Sequence, residues 1–204
     1  MRLLRYALTT RRRRGALAAA ALLVLVSLWP LPVLQVSAGR EPGAALVVAF
    51  EAPLVPGETF GIRYRHSIFG VGVEERFSLA PRGFALVEVI STTDGIAEYY
   101  AFPNGRLEPA ADHFRLVPGE ALIISLPVRI RATPVGERTL VLGTRCVPLA
   151  SLGETVELRW RRAALVRWLL GAVRHTFFGK DVARTCPVPA ISAVSTTAGC
   201  GAAA

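Results

Sequence analysis

Four consecutive arginines, Arg11 to Arg14, open onto a stretch without a single charged residue, Gly15 to Ala38. A positive flank followed by an apolar run is the pattern of a signal peptide or of an uncleaved signal anchor, with the flank held on the cytoplasmic side. Gly15 to Leu34 is 20 residues, about 30 Å at helical rise, which matches the core of a bilayer. Pro30 and Pro32 disturb a helix, so its best part is the 15 residues from Gly15 to Trp29. Val36-Ser37-Ala38 has the small-residue spacing of a cleavage site. Uncleaved, the segment is one spanning helix with Trp29 near the far interface. The reading is a basic cytoplasmic flank over residues 1–14 and a signal anchor or signal peptide over residues 15–38. Both fates place the chain after Ala38 on the outer side of the membrane.

Charge distribution excludes one class of partner. The formal net charge of +9 divides into +6 over residues 1–14, −2 over residues 39–160 and +5 over residues 161–204. The basic excess sits at the two ends, and the middle is slightly acidic. No basic globular face is shaped to a phosphate backbone, so nucleic acid is not an expected partner. A hydrophobic fraction of 52% also excludes a disordered chain.

After Gly39 the texture changes to short runs rich in Val, Ile, Phe and Leu, punctuated by Gly, Pro and Asn. The pattern predicts strands near residues 45–51, 59–66, 73–79, 84–92, 113–117, 121–131, 138–142 and 155–160. Turn signals at this spacing predict an all-β domain over residues 39–160, a small antiparallel sandwich or barrel of about eight strands. Residues 161–178 read as a basic amphipathic helix, with Trp168 and Phe177 on the apolar side and Arg167 and Arg174 in a narrow stripe. Such a helix suits a membrane surface, a partner's membrane domain or a cap on the β domain. Residues 179–204 have the composition of a disordered tail. The three cysteines, Cys146, Cys186 and Cys200, allow at most one internal disulfide. Cys146–Cys186 and Cys186–Cys200 both fit an exported chain, as do free thiols.

Strand phase singles out a candidate site. Phe60, Ile62, Tyr64 and His66 share one face of a strand, and Val73, Glu75, Phe77 and Leu79 share one face of the next. If Ser67 to Gly72 is a hairpin loop, His66 and Glu75 stand opposite or diagonal to each other, within side-chain reach. A polar residue on an apolar face needs a partner, and a His66–Glu75 hydrogen bond is the expected solution. The pair either fixes hairpin register or belongs to a ligand or metal site at the mouth of the β core, with Tyr64, Ser67 and Asp94 as further candidates.

Tyr64-x-His66-Ser67-Ile68, then Val73-Glu74-Glu75-x-Phe77, then Leu86-Val87-Glu88 resembles the opening of the DUF1850 family, small membrane-tethered bacterial proteins of unknown function. Glu137-Arg138-Thr139-Leu140 and Val147-Pro148-Leu149 resemble its closing strands, so the likeness covers about residues 45–160. Phe69 stands where the family commonly has an acidic residue. Asp94-Gly95-Ile96-Ala97-Glu98 replaces a Gly-Ala-Gly-Leu-Pro-like turn. The resemblance implies a role beside TRAP-type transporters of the TAXI class, with transporter membrane subunits or the solute-binding protein as partners.

No phosphate-binding loop, HExxH, GxSxG or SxxK motif is present. Ser67 adjoins His66 along a strand, so the two point to opposite faces and cannot form a base–nucleophile pair. The expected function is therefore non-enzymatic and without a cofactor; joined to the resemblance, it is an envelope-exposed β domain tethered to a bacterial inner membrane, facing the periplasm or cell exterior, and an accessory of a TAXI transporter. The alternative is a periplasmic small-ligand or metal-binding module using His66 and Glu75.

Overall fold

The computed structural model describes residues 17, 19–41, 43–55, 57–167 and 184–186. Residues 19–27 form helix α1. After it come the strands β1 (Pro30–Gly39), β2 (Val47–Pro53), β3 (Phe60–Arg65), β4 (Gly72–Ala80) and β5 (Gly83–Ser91). The short helix α2 (Ile96–Tyr100) leads to β6 (Arg106–Pro109), β7 (Phe114–Val117), β8 (Leu122–Ser125), β9 (Val128–Arg131), β10 (Thr139–Leu142), β11 (Arg145–Pro148), β12 (Thr155–Ala164) and β13 (Arg184–Thr185).

Two antiparallel sheets result. The smaller runs β2-β1-β12-β9, and the larger runs β13-β11-β10-β3-β4-β5-β7-β6, with β8 also on β5. Their inner faces share one apolar core, giving a sandwich-like arrangement. The smaller sheet contributes Leu34, Val36, Ile130, Val156 and Leu158, and the larger one Phe60, Ile62, Phe77, Phe84, Val89 and Leu140. Phe60 and Phe84 meet edge to face at 4.8 Å, a favoured aromatic geometry. The indole N–H of Trp160 on β12 donates to Gly83 O across the sheets at 3.1 Å. Gly83 also lets β8 lie against β5: a Cβ there would lie 2.1 Å from Ile124 O.

The apolar run at residues 15–38 is divided by the fold. Only its first part is helical, and among the described residues no helix is long and apolar enough to cross a membrane. Residues 30–39 form the strand β1, hydrogen-bonded to β2 on one edge and to β12 on the other. Val33, Leu34 and Val36 are buried completely. A strand with both edges paired and both faces covered reads as an unbroken apolar run, which hydropathy does not distinguish from a membrane segment. Cleavage after Ala38 would remove a central strand of the fold.

The C-terminal boundaries also move. Arg161 to Ala164 extend β12 and pair with Val33 to Pro30, so they are strand where a helix was expected. Residues 165–167 are helical, and the rest of the expected amphipathic helix lies outside the described residues. Within the expected tail, Arg184 and Thr185 pair with Cys146 and Arg145, and Cys186 is disulfide-bonded to Cys146.

Both outer faces carry ladders of arginine and glutamate. On the larger sheet, Arg63 Nη2 contacts Glu74 at 2.7 Å, Arg76 bridges Glu74 and Glu88 at 2.8 Å each, and Arg115 joins Glu88 at 2.6 Å. The side chains of Glu74 and Glu88 are only 7% exposed, covered by the arginine stems. On the smaller sheet Arg129 and Arg159 hold Glu157, and Arg161 holds Glu51.

Candidate functional site

The candidate site lies where the β3–β4 hairpin and α2 close one end of the larger sheet. Register pairs Ile62 with Glu75 and Tyr64 with Val73, so Tyr64 lies diagonal to Glu75 on the same face. Tyr64 donates its hydroxyl proton to Glu75 Oε1 at 3.0 Å. Tyr100, brought in by α2, donates to the same oxygen. The two hydroxyls lie 2.7 Å apart. Ile96, buried completely, pins α2 to the core. Among the described residues no cation pairs with Glu75, and its second oxygen takes no hydrogen bond. Burial first, and then the negative charge of Glu75, pushes both phenols above the ordinary tyrosine value. They are fixed neutral donors near neutral pH, and both act on one oxygen of a half-buried carboxylate.

His66 does not bond to Glu75. It falls one residue beyond β3, where its N–H bonds Val71 O and its carbonyl accepts from Gly70 N, both at 2.8 Å. Its Nδ1 accepts from Ile68 N at 3.3 Å, which in the neutral ring leaves the proton on Nε2. The buried imidazole meets Tyr99 edge-on at 4.3 Å and Phe69 at 5.1 Å. His66 is thus the hub of an aromatic band, and it holds the hairpin loop against α2. The pairing expected from sequence fails because the hairpin turns more tightly than a Ser67 to Gly72 loop: His66 faces Val71, and register makes Tyr64 the residue diagonal to Glu75.

Ser67 is exposed in the loop. Asp94 is exposed in the turn before α2, where its carbonyl accepts from Ala97 N at 2.9 Å. Neither hydrogen-bonds Tyr64, His66 or Glu75. The structure therefore brings Tyr64 and Glu75 together, sets His66 beside them and leaves Ser67 and Asp94 apart. Among the described residues no three of His, Cys, Asp and Glu are grouped to hold a metal ion. Tyr100 is the member that sequence reasoning missed. Its signal was the Tyr99-Tyr100 pair after the Asp94-Gly95 turn, a source of donors for a carboxylate on an apolar face.

A second concavity adjoins Tyr64. A cleft of about 480 Å³ lies over β3, β10 and β11, lined among others by Arg63, Arg65, Thr139, Cys146 and Pro148. That volume is within the range of small-molecule sites. The Cys146–Cys186 bridge, whose ends are 40 positions apart in sequence, lies at its wall.

No protein-family model, no curated protein and no solved structure matches the chain.

Proposed function

We propose that the chain is a non-enzymatic β domain tethered to a bacterial inner membrane, facing the periplasm or cell exterior, and serving as an accessory of a TRAP-type transporter of the TAXI class. The observation that carries the tether is the environment of the N-terminal helix. Its apolar side chains Leu22, Leu23, Val24, Leu25 and Val26 are exposed, and a helix apolar all round belongs in lipid or in a protein core. Arg11 to Arg14 orient such a segment with the β domain outside. The Cys146–Cys186 bridge supports an oxidising compartment. The transporter role rests on the DUF1850 resemblance alone. Purification of the full chain in mild detergent tests it: transporter membrane subunits or the solute-binding protein should copurify in fixed ratio, and their consistent absence overturns the accessory role.

One observation favours a second reading, a small-ligand module. Among the described residues Glu75 has two phenol donors on one oxygen, none on the other and no cation, which suits a ligand that donates a hydrogen bond or carries positive charge. Thermal shift of the full chain against small amines, organic acids and divalent ions is the check. No shift with any of them removes this reading.

A further inference from the structure

Three strands of the smaller sheet end together at one edge. β1 starts there at Pro30, opposite Ala164 at the end of β12, and β2 leaves at Pro53, opposite Val33. Leu54 N extends this edge by bonding Pro32 O at 2.9 Å. Trp29, the residue before β1, accepts a hydrogen bond from Leu165 N at 3.1 Å. The apolar helix is therefore joined to the centre of the sheet with no linker, and its exit is fixed by backbone hydrogen bonds on the β12 side.

The edge carries apolar and cationic side chains. Trp29, Val55 and Val166 are 65%, 53% and 39% exposed. Arg162 and Arg167 are exposed and have no acidic partner among the described residues, whereas the ladder arginines on the outer faces are paired. Arg161 is taken by Glu51 at 2.6 Å. Glu58 is a second acid close to the edge, accepting from Val55 N at 3.4 Å. The charge-free stretch before β1, Gly15 to Trp29, is 15 residues, about 22 Å as a helix, against about 30 Å for a bilayer core. A short hydrophobic segment is accommodated by drawing its flanks into the interface.

We propose that this edge of the sandwich is seated in the headgroup layer of an anionic bilayer, with Trp29, Val55 and Val166 at the interface and Arg162 and Arg167 on lipid phosphates. The proposal rests on the membrane tether and adds a fixed orientation: the Pro30–Ala164 edge faces lipid, and the Gly39–Thr155 edge faces away. Tryptophan and arginine are the side chains suited to that layer, and arginines without an acidic partner among the described residues complement anionic lipid.

The full chain is reconstituted in nanodiscs of phosphatidylcholine and phosphatidylglycerol, with Cys200→Ser and a single spin label at Leu22, Val55 or Val135. Val135 is 88% exposed and lies after β9, beyond the opposite edge. A nickel chelate carried on a lipid headgroup should relax the label at Val55 several-fold more than the label at Val135. The difference should shrink when Arg162 and Arg167 are both changed to Gln. Equal relaxation at Val55 and Val135, with the Leu22 label buried in lipid, overturns the seating and leaves the tether standing. A Leu22 label fully accessible to water overturns both.

Discussion

Tyr64 donates its hydroxyl proton to Oε1 of Glu75 across a 3.0 Å bond. With Tyr100 on the same oxygen, this contact ties α2 to the β3–β4 hairpin. Tyr100→Phe leaves Glu75 with one donor and should cost about 1–2 kcal/mol. That is a drop of a few degrees in Tm for a chain of this size, with secondary structure unchanged by circular dichroism. An unchanged Tm would show that the bond contributes nothing to the fold.

The same two phenols predict an alkaline limit. Both are raised in the folded state by burial and by Glu75, so the unfolded chain loses these protons first. Their stabilising effect is complete below the ordinary tyrosine value of about 10 and declines as pH rises above it. Urea unfolding from pH 9 to 11 should show stability falling with pH. The slope should be shallower in Tyr64→Phe/Tyr100→Phe, and an identical slope would remove the two tyrosines as its cause.

Acid acts on the ladders with the opposite sign. Burial alone would raise Glu74 and Glu157, but hydrogen bonds and charge from Arg76 and Arg63, and from Arg159 and Arg129, outweigh it and hold both below the usual carboxylate range. Their contribution is present above the unfolded value near 4.5 and is lost as pH falls below it. Arg129 and Arg159 are more than half exposed, so Glu157→Gln leaves them to solvent and should cost only about 1–2 kcal/mol at pH 7. Equilibrium unfolding at pH 7 and pH 3.5 is the measurement. The difference between wild type and Glu157→Gln should shrink at the lower pH.

The parts of this fold that were readable in the chain are those where one face meets the core and the other meets charge. Phe60, Ile62 and Tyr64 alternate with Arg63 and Arg65, and Val73, Glu75 and Phe77 alternate with Glu74 and Arg76, so β3, β4 and their shared face emerged from period two. β1 gave no such alternation, because it is buried on both faces and paired on both edges. The expected strand at 121–131 is two, β8 and β9, divided by Leu126-Pro127, where proline lacks the N–H for a ladder bond. In the site, Glu75 announced itself as a carboxylate on an apolar face, but its partner depended on the register set by the β3–β4 turn. Tyr100 comes from a five-residue helix, too short to leave a periodic signal.

The placement of β1 makes a direct prediction about chain boundaries. A chain beginning at residue 39 lacks the strand that bonds both β2 and β12 and contributes Leu34 and Val36 to the core. It should show no cooperative thermal transition, whereas one beginning at residue 28 should unfold cooperatively. Leu34→Ala in the full chain should cost about 2–5 kcal/mol. A sharp transition in the chain beginning at residue 39 would mean that β1 is dispensable.

The Cys146–Cys186 bridge holds residues 184–186 against β11. Closing a loop of this length lowers the entropy of the unfolded chain by an amount worth up to about 4 kcal/mol. Reduction should therefore lower Tm measurably, and Cys146→Ser and Cys186→Ser should each reproduce the reduced value, with no further loss in the double substitution. Cys200→Ser should leave Tm and its response to reductant unchanged, because the bridge does not use that thiol. Peptide mapping under non-reducing conditions provides the independent check. The predicted result is one linked pair carrying Cys146 and Cys186, and recovery of a Cys186–Cys200 pair instead would free β13 from β11 and open the wall of the adjoining cleft.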